Sequence, residues 1–308
     1  MCIEKDTLEI RRGPYSKRLR IRLPHGNFIG IIRSHGWSQL EPYFWDEEAQ
    51  ILKRIEHFGQ QTVQLIMKQG TEKEIMCFAS SKKPIRANLM KNLSLRLEYM
   101  FNCDADYTQF LKKARSLDPE ICQMAKKELN PFLRGSSLFE DVIKTLFTTN
   151  ASWAYTKKMC QSLLGVCTKH FGWVDADKTF PSVSQVLSIP MSVLEGEGRM
   201  GYRSKYLRNI AKKFNICDEF VGWSKDAILQ ELSTVKGLGS YSINHVAMLL
   251  GKNDRIPIDS EVRRIMRLLG RSDKKTCIEE YYALWDPYQN LAYRLECKLH
   301  QGKDFDSK

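Results

Sequence analysis

A lone aspartate lies within a stretch otherwise suited to holding phosphate. Asp259 follows Pro257 and Ile258 and precedes the basic run Val262-Arg263-Arg264-Ile265-Met266-Arg267. A carboxylate there repels the same anions that the arginines attract, so its presence points to chemistry. A fixed negative charge can stabilise a developing cation or orient an attacking water. Taken alone, an Asp ahead of a helix is an N-cap worth roughly 1 kcal/mol. What shifts the reading is Val235-Lys236-Gly237-Leu238-Gly239, whose last glycine lies twenty residues upstream. Two glycines let the chain turn tightly and expose bare N–H groups at the start of the next helix, where the dipole is positive and anions bind.

The elements that must position these groups are legible in the apolar spacing. Ile228, Leu229 and Leu232 make one face of a helix before the turn. Ile243, Val246, Ala247 and Leu250 make one face of a helix after it. The pattern is a hairpin between two helices, followed by a short proline-containing loop and a third helix.

This stretch resembles the helix-hairpin-helix DNA glycosylases of the HhH-GPD superfamily, which carry such a hairpin and then an essential Asp after a short loop. The resemblance implies that Asp259 is the catalytic carboxylate and that Gly237, Gly239 and Ser240 grip a DNA phosphate. Members that also cut the strand place a Lys two residues after the second hairpin glycine; here that position is Tyr241. The departure implies a monofunctional enzyme without lyase activity, closest to the alkylpurine (3-methyladenine) type, which has an aromatic there. Ser233, Val235 and Leu238 would offer backbone carbonyls to a monovalent cation, Na+ or K+. A helix over residues 136–150 ends in Thr148-Thr149-Asn150, and Asn150 corresponds to the residue that fills the gap left by a flipped nucleotide. On its own it reads as a helix C-cap. Gly201-Tyr202-Arg203 recurs in the oxidised-guanine members, where the Tyr-Arg pair contacts the estranged base, so Tyr202 and Arg203 are assigned to the DNA surface. Lys205 is assigned to phosphate.

The resemblance spans about residues 135 to 270 closely and the N-terminal part loosely, through Ser34-His35-Gly36-Trp37 and Phe44-Trp45-Asp46. The expected function is excision of a damaged base, favouring an alkylated purine, with an abasic site as product. The alternatives are an oxidised-guanine glycosylase and a non-catalytic helix-hairpin-helix DNA-binding protein. The expected partner is double-stranded DNA carrying a damaged base, bound by a monomer.

Composition agrees with an anionic partner. The 308 residues carry 48 Lys and Arg against 36 Asp and Glu, a net charge of +12. No apolar run is long enough to span a bilayer, and Met1 to Arg12 has no signal-peptide core. The nine cysteines, Cys2, Cys77, Cys103, Cys122, Cys160, Cys167, Cys217, Cys277 and Cys297, are scattered and include no Cys-x-x-Cys. That predicts reduced thiols and an intracellular location with the DNA. Some relatives hold an iron–sulfur cluster after the catalytic region; only Cys277 and Cys297 follow Asp259, so no cluster is expected.

The predicted fold is α+β. Residues 1–100 read as an antiparallel β-sheet domain and 101–308 as a two-lobed helical core. Arg18 to Leu23 alternates basic and apolar, a half-buried strand. Further strands are expected at 51–55, 62–68 and 74–79. The period turns helical from about Leu89. Asp118-Pro119-Glu120 opens one helix, and Ser137 with Glu140 makes a capping box for another. Ser182 caps a third. His35 reads as a satisfied polar residue beside a buried Trp37, and Trp37, Phe44 and Trp45 read as core. The tail from Gly302 is expected to fray.

Overall fold

The computed structural model describes residues 14–174 and 178–301. Met1 to Arg12, Cys2 and the tail from Gly302 lie outside the described residues. Five antiparallel strands form one sheet in the order β1-β5-β4-β3-β2: β1 (Tyr15–Arg22), β2 (Phe44–Asp46), β3 (Ile51–Phe58), β4 (Gln61–Gln69) and β5 (Glu74–Ser81). The alternation in β1 sets which face is buried. Leu19 pairs with Cys77, Cys77 with Met67 and Met67 with Leu52, so one inward row crosses four strands and none of its members is more than 8% exposed. That face packs on Leu93, Leu97 and Met100 of α2 (Ala87–Met100). The apolar run 28–32 is a short helix, α1 (Phe28–Ile32), because Asn27 caps it by accepting the Gly30 N–H at 2.8 Å.

Two helical cores follow. One gathers α5 (Leu138–Thr148), α6 (Trp153–Phe171), α7 (Val183–Ser188), α8 (Met191–Gly196), α9 (Arg203–Ile216), α10 (Lys225–Ser233) and α11 (Ser240–Leu249). The other joins α3 (Thr108–Leu117) and α4 (Pro119–Glu128) to α12 (Ser260–Leu268), α13 (Lys275–Tyr282) and α14 (Gln289–Gln301), segments far apart in sequence. Among the described residues no helix is long and apolar enough to cross a membrane.

The central element is α5, buried from Phe139 through Phe147. Ser137 accepts the Glu140 N–H at 3.2 Å, but the Glu140 side chain does not return to close the expected capping box. Its carboxylate is fully buried and meets Arg54 of β3 at 2.5 Å and Lys144 at 2.6 Å. Burial alone would raise the Glu140 pKa; the two cations more than offset this and hold it well below the carboxylate range. Arg54 also pairs with Glu56, which pairs with Arg96 of α2 at 2.6 Å. These buried charges join the sheet to the helix that reaches the cleft.

Candidate active site

The hairpin forms as its sequence dictates. Ser224 caps α10 by accepting the Ala227 N–H at 3.2 Å, and Ile228, Leu229 and Leu232 are buried. After Ser233 the turn closes through Val235 N–H to Leu232 O at 3.0 Å and Leu238 N–H to Val235 O at 3.1 Å. Gly237 has φ +110, and a Cβ on it would stand 2.4 Å from Cγ of Tyr206. Only glycine fits both demands. Gly239 is the N-cap of α11 and brings no capping side chain. The first helical bond there is Ile243 N–H to Gly239 O, so the N–H groups of Ser240, Tyr241 and Ser242 have no partner inside the helix.

These groups line one cleft of about 1360 Å³ together with Asp259, Asn150, Tyr202, His35, Trp37 and His245. That exceeds the usual volume for a small-molecule pocket, roughly 300–1,000 Å³, and leaves room for a base with its sugar and flanking strand. Asp259 is exposed at the cleft and caps α12, with Oδ1 accepting the Val262 N–H at 2.9 Å. Oδ2 has no hydrogen-bond partner among the described residues. The cap and the reactive carboxylate are thus compatible readings of one side chain: the cap fixes its orientation and leaves the second oxygen open.

Tyr241 is half-buried, with its hydroxyl 3.3 Å from Thr148 Oγ1 and 3.4 Å from Nδ1 of His245. Burial, with a smaller contribution from the Asp259 carboxylate, pushes its phenol pKa up. The residue at this position is therefore a neutral phenol, which cannot form the imine that an amine would.

Asn150 is exposed just past the end of α5 and holds φ +45. Tyr202 is 52% exposed and packs edge-on against Tyr206 at 5.5 Å. Arg203 departs from its expected position on the DNA surface. It is 3% exposed, and its guanidinium donates to the carbonyls of Thr149 and Asn150. A helix leaves its last carbonyls without partners, and these claim the arginine. Lys205 is exposed, is not among the residues lining the cleft, and pairs with Glu195 at 3.7 Å. The residues 233, 235 and 238 share the hairpin turn and all line the cleft.

One wall of the cleft is built on Trp37, which is core as expected at 1% exposed, with His35, His245 and Trp153 around it. His35 stacks on Trp37 at 5.1 Å and 20°, and Trp37 on His245 at 6.0 Å and 16°. Burial, then the neighbouring His245, Arg294 and Lys144, hold His35 well below its ordinary pKa; burial and Arg294 lower His245 to about 4. Both rings are neutral near pH 7, and the Nε2 atom of each is buried without a partner. Trp153 closes over Gly36, where a Cβ would meet Cζ2 at 2.4 Å, and donates Nε1–H to Gln39 at 3.1 Å. The sequence signal for the close approach of Trp153 is the glycine at 36, between His35 and Trp37.

In sequence, residues 143–290 match the profile of the HhH-GPD superfamily base excision DNA repair proteins. No curated protein matches the chain. In structure, the chain is similar to the 3-methyladenine DNA glycosylase of Archaeoglobus fulgidus, with a TM-score of 0.70 and 18% identity over 92% of this chain and 98% of that one. It is also similar to the 8-oxoguanine glycosylase/lyase of Clostridium acetobutylicum in its apo form, with a TM-score of 0.65 and 16% identity over 91% and 96%. A third likeness is to MBOgg1 solved with a low-affinity DNA ligand, with a TM-score of 0.65 and 16% identity over 92% and 96%. At these identities the likeness is one of fold. The segment 143–290, which contains both the hairpin and Asp259, thus matches the HhH-GPD superfamily of base excision DNA repair proteins, and the chain shares the fold of these DNA glycosylase structures.

Proposed function

We propose that this protein is a monofunctional DNA glycosylase that hydrolyses the N-glycosidic bond of a damaged base flipped from duplex DNA. The observation that carries the reading is Asp259: a carboxylate with one free oxygen in the same cleft as an uncapped helix N-terminus and an aromatic wall. A stacked base is out of reach of any catalytic group, so the base must leave the helix, at a cost of a few kcal/mol. The N–H groups after Gly239 hold the strand phosphate, and Asn150 occupies the gap. Bond breaking leaves positive charge on the deoxyribose; Asp259 stabilises it and orients a water that attacks C1′. With a phenol at 241 in place of an amine, water is the nucleophile and the strand stays intact.

The carbonyls of Ser233, Val235 and Leu238 suit a monovalent cation in donor chemistry, since each oxygen has two lone pairs and the Val235 oxygen has spent one on Leu238. A cation held by these three would add positive charge beside the phosphate. The protein acts as a monomer on double-stranded DNA in this reading.

For the substrate we favour an alkylated purine. Its positive charge makes it a good leaving group and is attracted by the electron-rich rings of Trp153 and Tyr241, which line the cleft and are partly exposed. A specific observation favours a second class, an oxidised guanine. The buried Arg294 guanidinium near His245 repels a cationic base and not a neutral one. A base-release assay over duplexes carrying methylated, oxidised and deaminated bases separates these, with borohydride added to trap any imine. Release of a methylated purine with no trapped adduct is expected. Release confined to oxidised guanine selects the second class, a trapped adduct contradicts the hydrolytic mechanism, and no release from any duplex leaves only a DNA-binding protein.

A further inference from the structure

Arg203 opens α9 directly below the loop that leaves α5. Its Nη2 donates to the Thr149 carbonyl and, at 3.1 Å, to the Asn150 carbonyl. The guanidinium is flanked by the rings of Tyr202 at 4.6 Å and Tyr155 at 5.9 Å. The Tyr155 hydroxyl in turn donates to the Arg199 carbonyl at 3.1 Å. Arg199 and Asn150 are both non-glycine residues at positive φ, +47 and +45. Such a conformation costs of order 1 kcal/mol and persists only where the surroundings fix it. Two side chains therefore clamp two strained turns by their backbone oxygens, and the exposed side chain between them is Asn150.

We propose that Arg203 is a positioning residue that holds the 149–150 loop, so that Asn150 stands in its duplex-entering conformation before DNA arrives. The proposal rests on the reading of Asn150 as the gap-filling residue. It replaces a direct contact between Arg203 and DNA with an indirect one. Hydrogen bonds from a charged donor to backbone carbonyls are among the stronger ones. A loop fixed in advance has less freedom to lose on binding, so the benefit appears as affinity for DNA with a gap to fill. A lysine can offer charge but not the planar fork, and reproduces the clamp only in part.

The test is a mutant cycle read by binding to two duplexes, one undamaged and one carrying a tetrahydrofuran abasic analogue. Wild type is expected to prefer the tetrahydrofuran duplex, and Asn150→Ala to lose much of that preference; failure of either refutes the gap-filling reading itself. With that established, Arg203→Met is expected to weaken tetrahydrofuran-duplex binding about tenfold and to leave undamaged-duplex binding within about twofold. The double variant should be no weaker than Asn150→Ala alone, since the arginine acts through the asparagine. An additive loss in the double variant, or an equal loss on both duplexes, means that Arg203 touches DNA directly and overturns the proposal. If Arg203→Met does not melt cooperatively, Arg203→Lys carries the same cycle: an intermediate loss confined to the tetrahydrofuran duplex supports the clamp, and a wild-type preference refutes it.

Discussion

The two glycines of the hairpin differ in why they are glycines, and the difference can be measured. Gly237 sits at φ +110 with Cγ of Tyr206 2.4 Å from where a Cβ would be. An alanine there pays about 1–2 kcal/mol for the backbone and a further ~1–3 kcal/mol for displacing the tyrosine. The sum, roughly 2–5 kcal/mol, is a large part of a total stability of about 5–15 kcal/mol. Gly239 has φ −85 and ψ −177, extended backbone open to any residue, and no atom within 4 Å of its Cβ position. Nothing in the protein requires glycine there, so Gly239→Ala should leave stability within about 0.5 kcal/mol. Its methyl group would instead stand at the helix end offered to phosphate. Thermal melts and anisotropy titrations with a labelled duplex give both quantities. Gly237→Ala should melt about 5–15 °C lower than wild type. Gly239→Ala should melt as wild type does but bind duplex about tenfold more weakly. A Gly239→Ala protein with wild-type affinity would refute the assignment of this turn to the DNA backbone; an unshifted Gly237→Ala melt would refute the steric argument.

Replacing Glu140 with leucine strands Lys144 as a buried cation without a carboxylate and leaves Arg54 with Glu56 alone; urea denaturation should report a loss of about 3–5 kcal/mol, and an unchanged midpoint would contradict the role given to this cluster. His245 has a folded pKa of about 4 against 6.5, a depressed value, so its contribution is present above pH 6.5 and is lost as pH falls toward 4. It amounts to at most ~3 kcal/mol, and His245→Gln should flatten that part of the stability–pH curve. Asp141, raised by burial to about 7, contributes the opposite slope in both proteins, so the difference between the two curves reports His245 together with the relief it gives its neighbour His35; parallel curves would contradict the neutral assignment.

Local signals in the sequence carried most of the architecture. Asp118 caps α4 through the N–H groups of Glu120 and Ile121. Ser182 forms a full capping box with Gln185 on α7, and the alternation in β1 gives the buried face of the sheet. What stayed hidden depended on contacts between distant segments. Glu140 reads locally as half of a capping box, but its partners Arg54 and Lys144 lie inside the molecule, and a buried carboxylate must follow them. Arg203 reads as a surface base in a basic run, yet two orphaned carbonyls at the end of α5 claim it. His35, Trp37 and His245 come from opposite ends of the chain, and no local period marks their shared wall. The second helical core likewise joins residues near 110–128 to those beyond 256.

The central claim is that the carboxylate of residue 259 acts on the sugar. Single-turnover base release by Asp259→Asn tests it most directly, on whichever damaged duplex the wild-type protein processes fastest, with binding to the tetrahydrofuran duplex measured alongside. The amide keeps an oxygen able to cap α12, so the fold and the DNA affinity should persist, while release should slow by about 100-fold or more. Release at close to the wild-type rate would remove this residue from the reaction.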